Sequence, residues 1–313
     1  MRDRALLAVS LVVVLAAVSC SGGARTPSPA ASRPGPSTSP RIGRGDIGGY
    51  SLAYECAGTG SPTVILEAGC TASGIDTYGP TILPAIAGTT RVCTYDRAGD
   101  GMSDPRPASV GTVTGLTQAE ELHALLANVH VGGPYVLVGH SYGGMIAREF
   151  AAHYGSDVVG MVLIDASSEP EIPVYRRLHA GAWLDGTVMP APNRKIDILA
   201  TVRQLERAPS LGSLPLVVIT AGILQDRWLR TVPLLEARAQ TRLANLSSNS
   251  IHILDANVGH FIPEDDPRLV VSTVLAVVAA ARSGETLAPC ARVVEGSGSA
   301  RCVSRGQLAH QRV

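Results

Sequence analysis

The sequence predicts an α/β fold, a mainly parallel central sheet flanked by helices. Three observations predict it. Apolar runs of strand length recur along the chain, stretches with helical periodicity fall between them, and no internal repeat interrupts the alternation. With 313 residues and 45% hydrophobic content, the chain can bury a substantial single core.

Strands are expected at about Tyr50–Cys56, Thr63–Ala68, Arg91–Asp96, Tyr135–His140, Val158–Asp165, Leu216–Thr220 and Ile251–Ala256. Several are continuously apolar, as strands covered on both faces are. Helices are expected at Thr117–Asn128, opened by Thr117 and Glu120 in capping-box spacing, at Tyr142–Tyr154, and at Pro267–Ala281 with Asp266 as its cap.

The termini read differently. Arg2 and Arg4 precede a mostly apolar run, Ala5 to Val18, too short to span a bilayer and read as the hydrophobic region of a signal peptide over residues 1–19. The ending Ala17-Val18-Ser19-Cys20 resembles the lipobox of bacterial lipoproteins, which implies cleavage before Cys20 and lipidation of that residue. Residues 20–45 are rich in Pro, Ser and Gly and read as a flexible tether. The folded domain is expected from about Asp46 to 284, followed by a tail over 285–313. Lys plus Arg equal Asp plus Glu at 26 each, with no basic stripe, so nucleic acid is not an expected partner.

Chemistry concentrates in "VLVGHSYGGMIARE", residues 136–149. A serine, Ser141, sits between Gly139 and Gly143 at a junction of expected strand and expected helix. Such a turn presents a nucleophile beyond the carboxyl end of a sheet, and its crowding demands glycine on either side. Alone, Gly-x-Ser-x-Gly is a weak signal in a chain with 33 glycines. The strand-to-helix context supplies the specificity.

Three further stretches occur in a telling order: "YDRAGDGMSDP" from Tyr95, "VVGMVLIDAS" from Val158 and "NVGHFIPEDDP" from Asn257. With the serine turn they resemble the α/β-hydrolase superfamily from about Gly48 to Ala281. The resemblance implies the α/β-hydrolase fold with a short lid insertion over about 166–214. It also implies a Ser-His-Asp triad and an oxyanion hole made by the backbone N–H groups of Tyr142 and Cys70.

Of eight histidines, His260 is the expected base, because it follows an expected strand in a Gly-containing loop and comes last in chain order. For the acid, Asp165 at the end of the strand after the serine helix is preferred, and Asp226 after the strand Leu216–Thr220 is the alternative. Cys290 and Cys302 bracket a Gly/Ser-rich loop and are the disulfide candidates of an exported chain. The superfamily's strand order would make the strands of Cys56 and Cys93 neighbours, which permits a second bridge and would then leave Cys70 outside both. No Cys/His spacing suggests a metal, and no cofactor is called for. Trp183, Leu184 and Met189 in the lid segment are candidates for a substrate pocket or for packing on the domain.

The expected protein is therefore an exported serine hydrolase, held at the outer face of the membrane by a lipid on Cys20. Its expected substrate is a small ester-like molecule, making it a carboxylesterase. An aminopeptidase or lipase on the same triad is the alternative, and a surface lipoprotein that only binds is the alternative from another class.

Overall fold

The computed structural model describes residues 39–172, 188–191, 194–223 and 233–304. Its strands are β1 (Arg41–Asp46), β2 (Ser51–Ala57), β3 (Thr63–Glu67), β4 (Val92–Tyr95), β5 (Tyr135–His140), β6 (Val158–Ile164), β7 (Val188–Ala191), β8 (Arg194–Ile196), β9 (Leu216–Ala221), β10 (Ser250–Asp255) and β11 (Ala300–Val303). Nine of them form one sheet in the order β1-β2-β4-β3-β5-β6-β9-β10-β11, and β7 pairs with β8 separately. From β4 through β10 every pairing is parallel. Antiparallel pairings add β2 and β1 at one edge and β11 at the other.

The apolar runs explain the layering. Along β5, Tyr135 and Leu137 pack into one core while Val136 and Val138 pack into the other. The same alternation holds for Met161 and Leu163 against Val162 and Ile164 of β6, and for Leu216 and Val218 against Val217 and Ile219 of β9. Successive side chains of a strand face opposite ways, so a strand apolar at every position must be covered twice. Helices Gly115–Asn128, Tyr142–His153, Ile198–Leu205 and Pro233–Ala244 contribute to the first core. Helices Gly74–Tyr78, Ile82–Ala87, Pro267–Ser283 and Cys290–Val293 contribute to the second. Fully buried side chains such as Phe150 and Ile86 each contribute about 1.5–3 kcal/mol relative to exposure.

Several local expectations need revision. The first long helix begins at Gly115, with Thr114 as its cap; the reciprocal bonds run between Thr114 and Thr117, and Glu120 takes no part. Thr114 accepts from the Thr117 N–H at 3.3 Å, which satisfies an orphan donor of the first turn. By contrast, Asp266 caps Leu269 at 3.0 Å as the sequence suggests, and Gly284 ends that helix in the left-handed region.

The domain's limits also differ from expectation. β1 lies inside the segment read as tether: its "RIGRGD" is polar and largely exposed, and it is ordered by backbone pairing with β2 rather than by burial. At the far end, residues read as a tail supply β11, which covers the edge of β10, and Val293, which is buried in the second core. Cys290 bonds to Cys302 and Cys56 to Cys93. The helix Ile198–Leu205 and the strands β7 and β8 fall within the lid segment. Asp197 caps the helix, and Ile198, Val202 and Leu205 are buried. Trp183 and Leu184 lie outside the described residues.

The bridges join residues 37 and 12 apart in sequence. Closing the longer loop restricts the unfolded chain more, by about 1 kcal/mol on chain-entropy grounds. Urea unfolding of the Cys56→Ser/Cys93→Ser and Cys290→Ser/Cys302→Ser double variants should therefore show the larger loss for the first pair. An equal or reversed order would refute this account.

Candidate active site

Ser141 separates β5 from the helix Tyr142–His153 with φ 54° and ψ −125°. A non-glycine residue in that region costs roughly 1–3 kcal/mol, so its surroundings must enforce it. They do so through backbone bonds: Ser141 N–H donates to Ile164 O at 3.0 Å, while Ser141 O accepts from Gly144 N–H and Ser167 N–H, each at 3.0 Å. The flanking glycines are required by packing. A Cβ on Gly143 would collide with the carbonyl oxygens of Ala68 and Glu67, and one on Gly139 with the backbone of Gly144. Gly144 is equally constrained by the Ala166 methyl, a requirement signalled by the double glycine of "SYGG" that sequence reasoning passed over.

Two more chain segments converge on this turn. His260, in the loop after β10, places Nε2 2.9 Å from Ser141 Oγ and Nδ1 2.7 Å from Asp165 Oδ2. Asp165, directly after β6, is itself in a positive-φ conformation, φ 40°. Its N–H donates to Ile219 O at 2.7 Å, and its Oδ1 accepts from Ala221 N–H at 2.9 Å. The neighbouring parallel strand β9 thus fixes both the backbone and the carboxylate of Asp165. Hydroxyl, imidazole and carboxylate form one chain of hydrogen bonds at the carboxyl ends of β5, β6 and β10, where open parallel sheets present ligands. Such a chain can relay a proton away from the serine hydroxyl while the carboxylate holds the imidazole tautomer.

Asp226 and Cys20 lie outside the described residues. Gly69 packs against the serine turn: a Cβ there would stand 3.0 Å from His140 Nδ1 and 3.5 Å from Ser141 Cβ. That brings the Gly69–Cys70 segment beside Ser141. Tyr142 opens the helix, so its N–H belongs to the first turn and has no partner within the helix. Its buried hydroxyl accepts from Gln118 Nε2 at 2.7 Å. Cys290 and Cys302 staple the C-terminal segment and take no part in this cluster.

Sequence reasoning sets His140 aside as the base, because it points away from Ser141 along the turn, and gives it no further role. Its ring is buried, and its Nε2 donates to the backbone carbonyl of His260 at 2.7 Å. The serine turn therefore holds the histidine loop from below, with the two rings 4.8 Å apart. Burial, and then the proximity of His260, push the His140 pKa down to about 4, so it is neutral at ordinary pH. The adjacency of His140 to Ser141 was the available signal, but only the tertiary path of residue 260 makes it meaningful. Of the remaining histidines, His252 is buried against Thr220 and His123 stacks on Tyr154. Among the described residues, no group of three or more His, Cys, Asp or Glu is placed to hold a metal ion.

The electrostatics of His260 are a contest. Burial disfavours its charged form, but the hydrogen bond and negative charge of Asp165, with Glu236 and Glu264 behind, raise its pKa above the ordinary imidazole value. The charged form therefore stabilises the fold fully below the unfolded-state value of about 6.5, and this contribution is lost as pH rises through the raised folded value. Asp165→Asn should remove the leading raising contributions and move the His260 titration downward, measured by NMR of the imidazole resonances. An unmoved titration would show that Asp165 does not govern His260.

A nine-stranded, mostly parallel sheet with a serine on a strained strand-to-helix turn defines the class. An alpha/beta hydrolase family model matches residues 68–303, and the chain belongs to that family. The uncharacterised protein YqjL of Bacillus subtilis is 29% identical over 221 residues, covering 68% of this chain and 82% of that protein. An uncharacterised protein of Schizosaccharomyces pombe is 44% identical over 93 residues, 29% of this chain; the chain spans only 16% of that protein's length. Among solved structures, the haloalkane dehalogenase DbeA of Bradyrhizobium elkani superposes with a TM-score of 0.58 at 15% identity, covering 79% of this chain and all of that one.

Proposed function

We propose that this protein is a serine hydrolase, a carboxylic ester hydrolase that works through an acyl-enzyme. The single observation that carries the reading is the hydrogen-bonded series Ser141 Oγ to His260 Nε2 and His260 Nδ1 to Asp165 Oδ2, at 2.9 and 2.7 Å. The family alone cannot carry it, since one fold hosts many chemistries and a neighbour of the same shape is a dehalogenase. A serine aligned with an imidazole and a carboxylate is the equipment of acyl transfer.

In this reading His260 Nε2 takes the Ser141 proton as Oγ attacks the carbonyl carbon. The negative charge that develops on the carbonyl oxygen is met by the backbone N–H groups of Tyr142 and Cys70. The tetrahedral intermediate collapses, His260 returns the proton to the departing alkoxide, and the acyl group remains on Oγ. Water then attacks the acyl-enzyme, giving its proton to His260. That second tetrahedral intermediate releases the carboxylic acid, and the proton returns to Ser141. His260 must be neutral to act as base, so its raised pKa places the ascending limb of kcat/KM above the ordinary imidazole range.

The N-terminal region supplies the setting: export, cleavage before Cys20, and a lipid on that cysteine, with the following residues as a tether at the outer face of the membrane. A Cys20→Ala variant expressed in a lipoprotein-processing bacterium should lose incorporated radiolabelled palmitate. Retention of the label would refute the anchor.

Labelling with a fluorophosphonate probe tests the chemistry. Labelling should vanish in Ser141→Ala and His260→Ala. It should slow steeply in Asp165→Asn, where the loss in ester turnover is expected on the order of 10⁴-fold, and persist in Asp226→Asn. No labelling of folded wild-type protein would overturn the serine-hydrolase reading, and dependence on Asp226 in place of Asp165 would overturn the choice of acid.

A further inference from the structure

A buried cation with an unusual set of partners holds the loop after β3. Arg97, 4% exposed, lies just beyond β4 and reaches under this loop. Its Nη1 donates to Glu67 Oε1 at 2.6 Å and to the backbone carbonyl of Ala68 at 2.7 Å, and its Nη2 donates to the backbone carbonyl of Gly69. Asp100 approaches Nε from the other side at 3.7 Å. Burial of the guanidinium opposes its charge, but Glu67 and Asp100 outweigh that and raise its pKa. One side chain therefore grips two successive carbonyls in the segment that runs beside Ser141.

A trans peptide is planar, with its C=O and N–H pointing opposite ways. Capture of the Gly69 carbonyl by Arg97 thus fixes the plane of the Gly69–Cys70 peptide and turns the Cys70 N–H away from Arg97. The Gly69 carbonyl also accepts from Ala72 N–H, but at 3.4 Å, a longer bond than the Arg97 contact, and glycine at 69 adds no steric restraint of its own. An oxyanion donor is effective only if its direction is set before charge develops, because reorientation during the reaction would forfeit much of the stabilisation.

We propose that Arg97 is a positioning residue: by holding the Ala68 and Gly69 carbonyls, it presets the Cys70 N–H as an oxyanion donor beside Ser141. The proposal rests on the acyl-transfer reading and deepens it. It assigns a role to the arginine of "YDRAGDGMSDP" that requires no contact with substrate. Arg97→Lys keeps a charge but loses the fork that spans two carbonyls, and Arg97→Met loses both.

The test compares wild type, Arg97→Lys, Arg97→Met and Arg106→Lys in hydrolysis of a p-nitrophenyl ester. Rates are normalised to sites counted by exhaustive fluorophosphonate labelling, and each variant's unfolding is followed in urea. Arg106 is the control because it forms an equally buried pair with Glu121 through Nε and Nη2 but touches neither carbonyl of the loop. Loss of one oxyanion donor costs roughly 10²–10³ in kcat. The Arg97 variants should accordingly lose about 10²-fold in kcat per site, with KM little changed, and bind a boronate tetrahedral mimic correspondingly less well. Arg106→Lys should lose stability while keeping its kcat per site.

Wild-type kcat per site and boronate affinity in folded Arg97→Lys would overturn the proposal while leaving the serine-hydrolase reading intact. So would an equal loss in Arg106→Lys, which would mark the effect as general destabilisation. If Arg97→Met does not fold, Arg97→Lys alone decides the matter. A wild-type protein that neither labels nor turns over ester would overturn the acyl-transfer reading and this proposal with it.

Discussion

Everything at the candidate site depends on one backbone constraint, the positive φ of Ser141. A lone residue in that conformation would relax into a strand or a helix. Here neither is open to it: its N–H is committed to Ile164 and its carbonyl to Gly144 and Ser167, while β5 on one side and a buried helix on the other fix where the chain enters and leaves. The glycines at 139, 143 and 144 follow from that geometry, since each would drive a Cβ into a neighbouring segment. The two long apolar elements supply the energy that holds the strain in place, and the turn concentrates it at one hydroxyl.

The other two members of the hydrogen-bonded series are held by the same sheet. Asp165 leaves β6 at the height at which Ser141 leaves β5, and the adjacent strand β9 bonds both its N–H and its carboxylate. His260 comes from β10, two strands further along the sheet from β6, and its loop is tied back to the serine turn through His140. Parallel strands end together, so side chains distant in sequence arrive at one edge. The price in buried charge is met locally: Arg97 with Glu67, Arg106 with Glu121 and Arg148 with Glu169 are close ion pairs, as burial of isolated ions would forbid.

Much of this was legible from residue patterns. The seven central strands lie within a residue or so of their expected positions, because most are apolar runs bounded by turn residues. The serine, its glycines and the histidine loop were legible as well, because the strand-to-helix junction leaves a local signature. What escaped was what local pattern does not encode. β1 is polar and β11 lies among serines and glycines; both exist because an adjacent strand edge offers unpaired backbone groups. The helices Ile198–Leu205 and Pro233–Ala244 were passed over although Asp197 caps the first and Pro233 opens the second. His140 and Arg97 were visible as residues, but their partners stand at 260 and at 67–69, and no periodicity links those numbers.

By itself, the sequence determined the α/β class, the alternation that makes its strands two-faced, and the turn at Ser141. Each of these follows from steric and hydrophobic rules acting over a few residues. Only the tertiary structure decided that Asp165 meets His260, which backbone carbonyls Arg97 grips, and that β1 and β11 join the sheet. Those outcomes depend on the order in which strands assemble. Strand order brings Asp165, His260 and Ser141 to one edge of the sheet although they lie up to 119 residues apart.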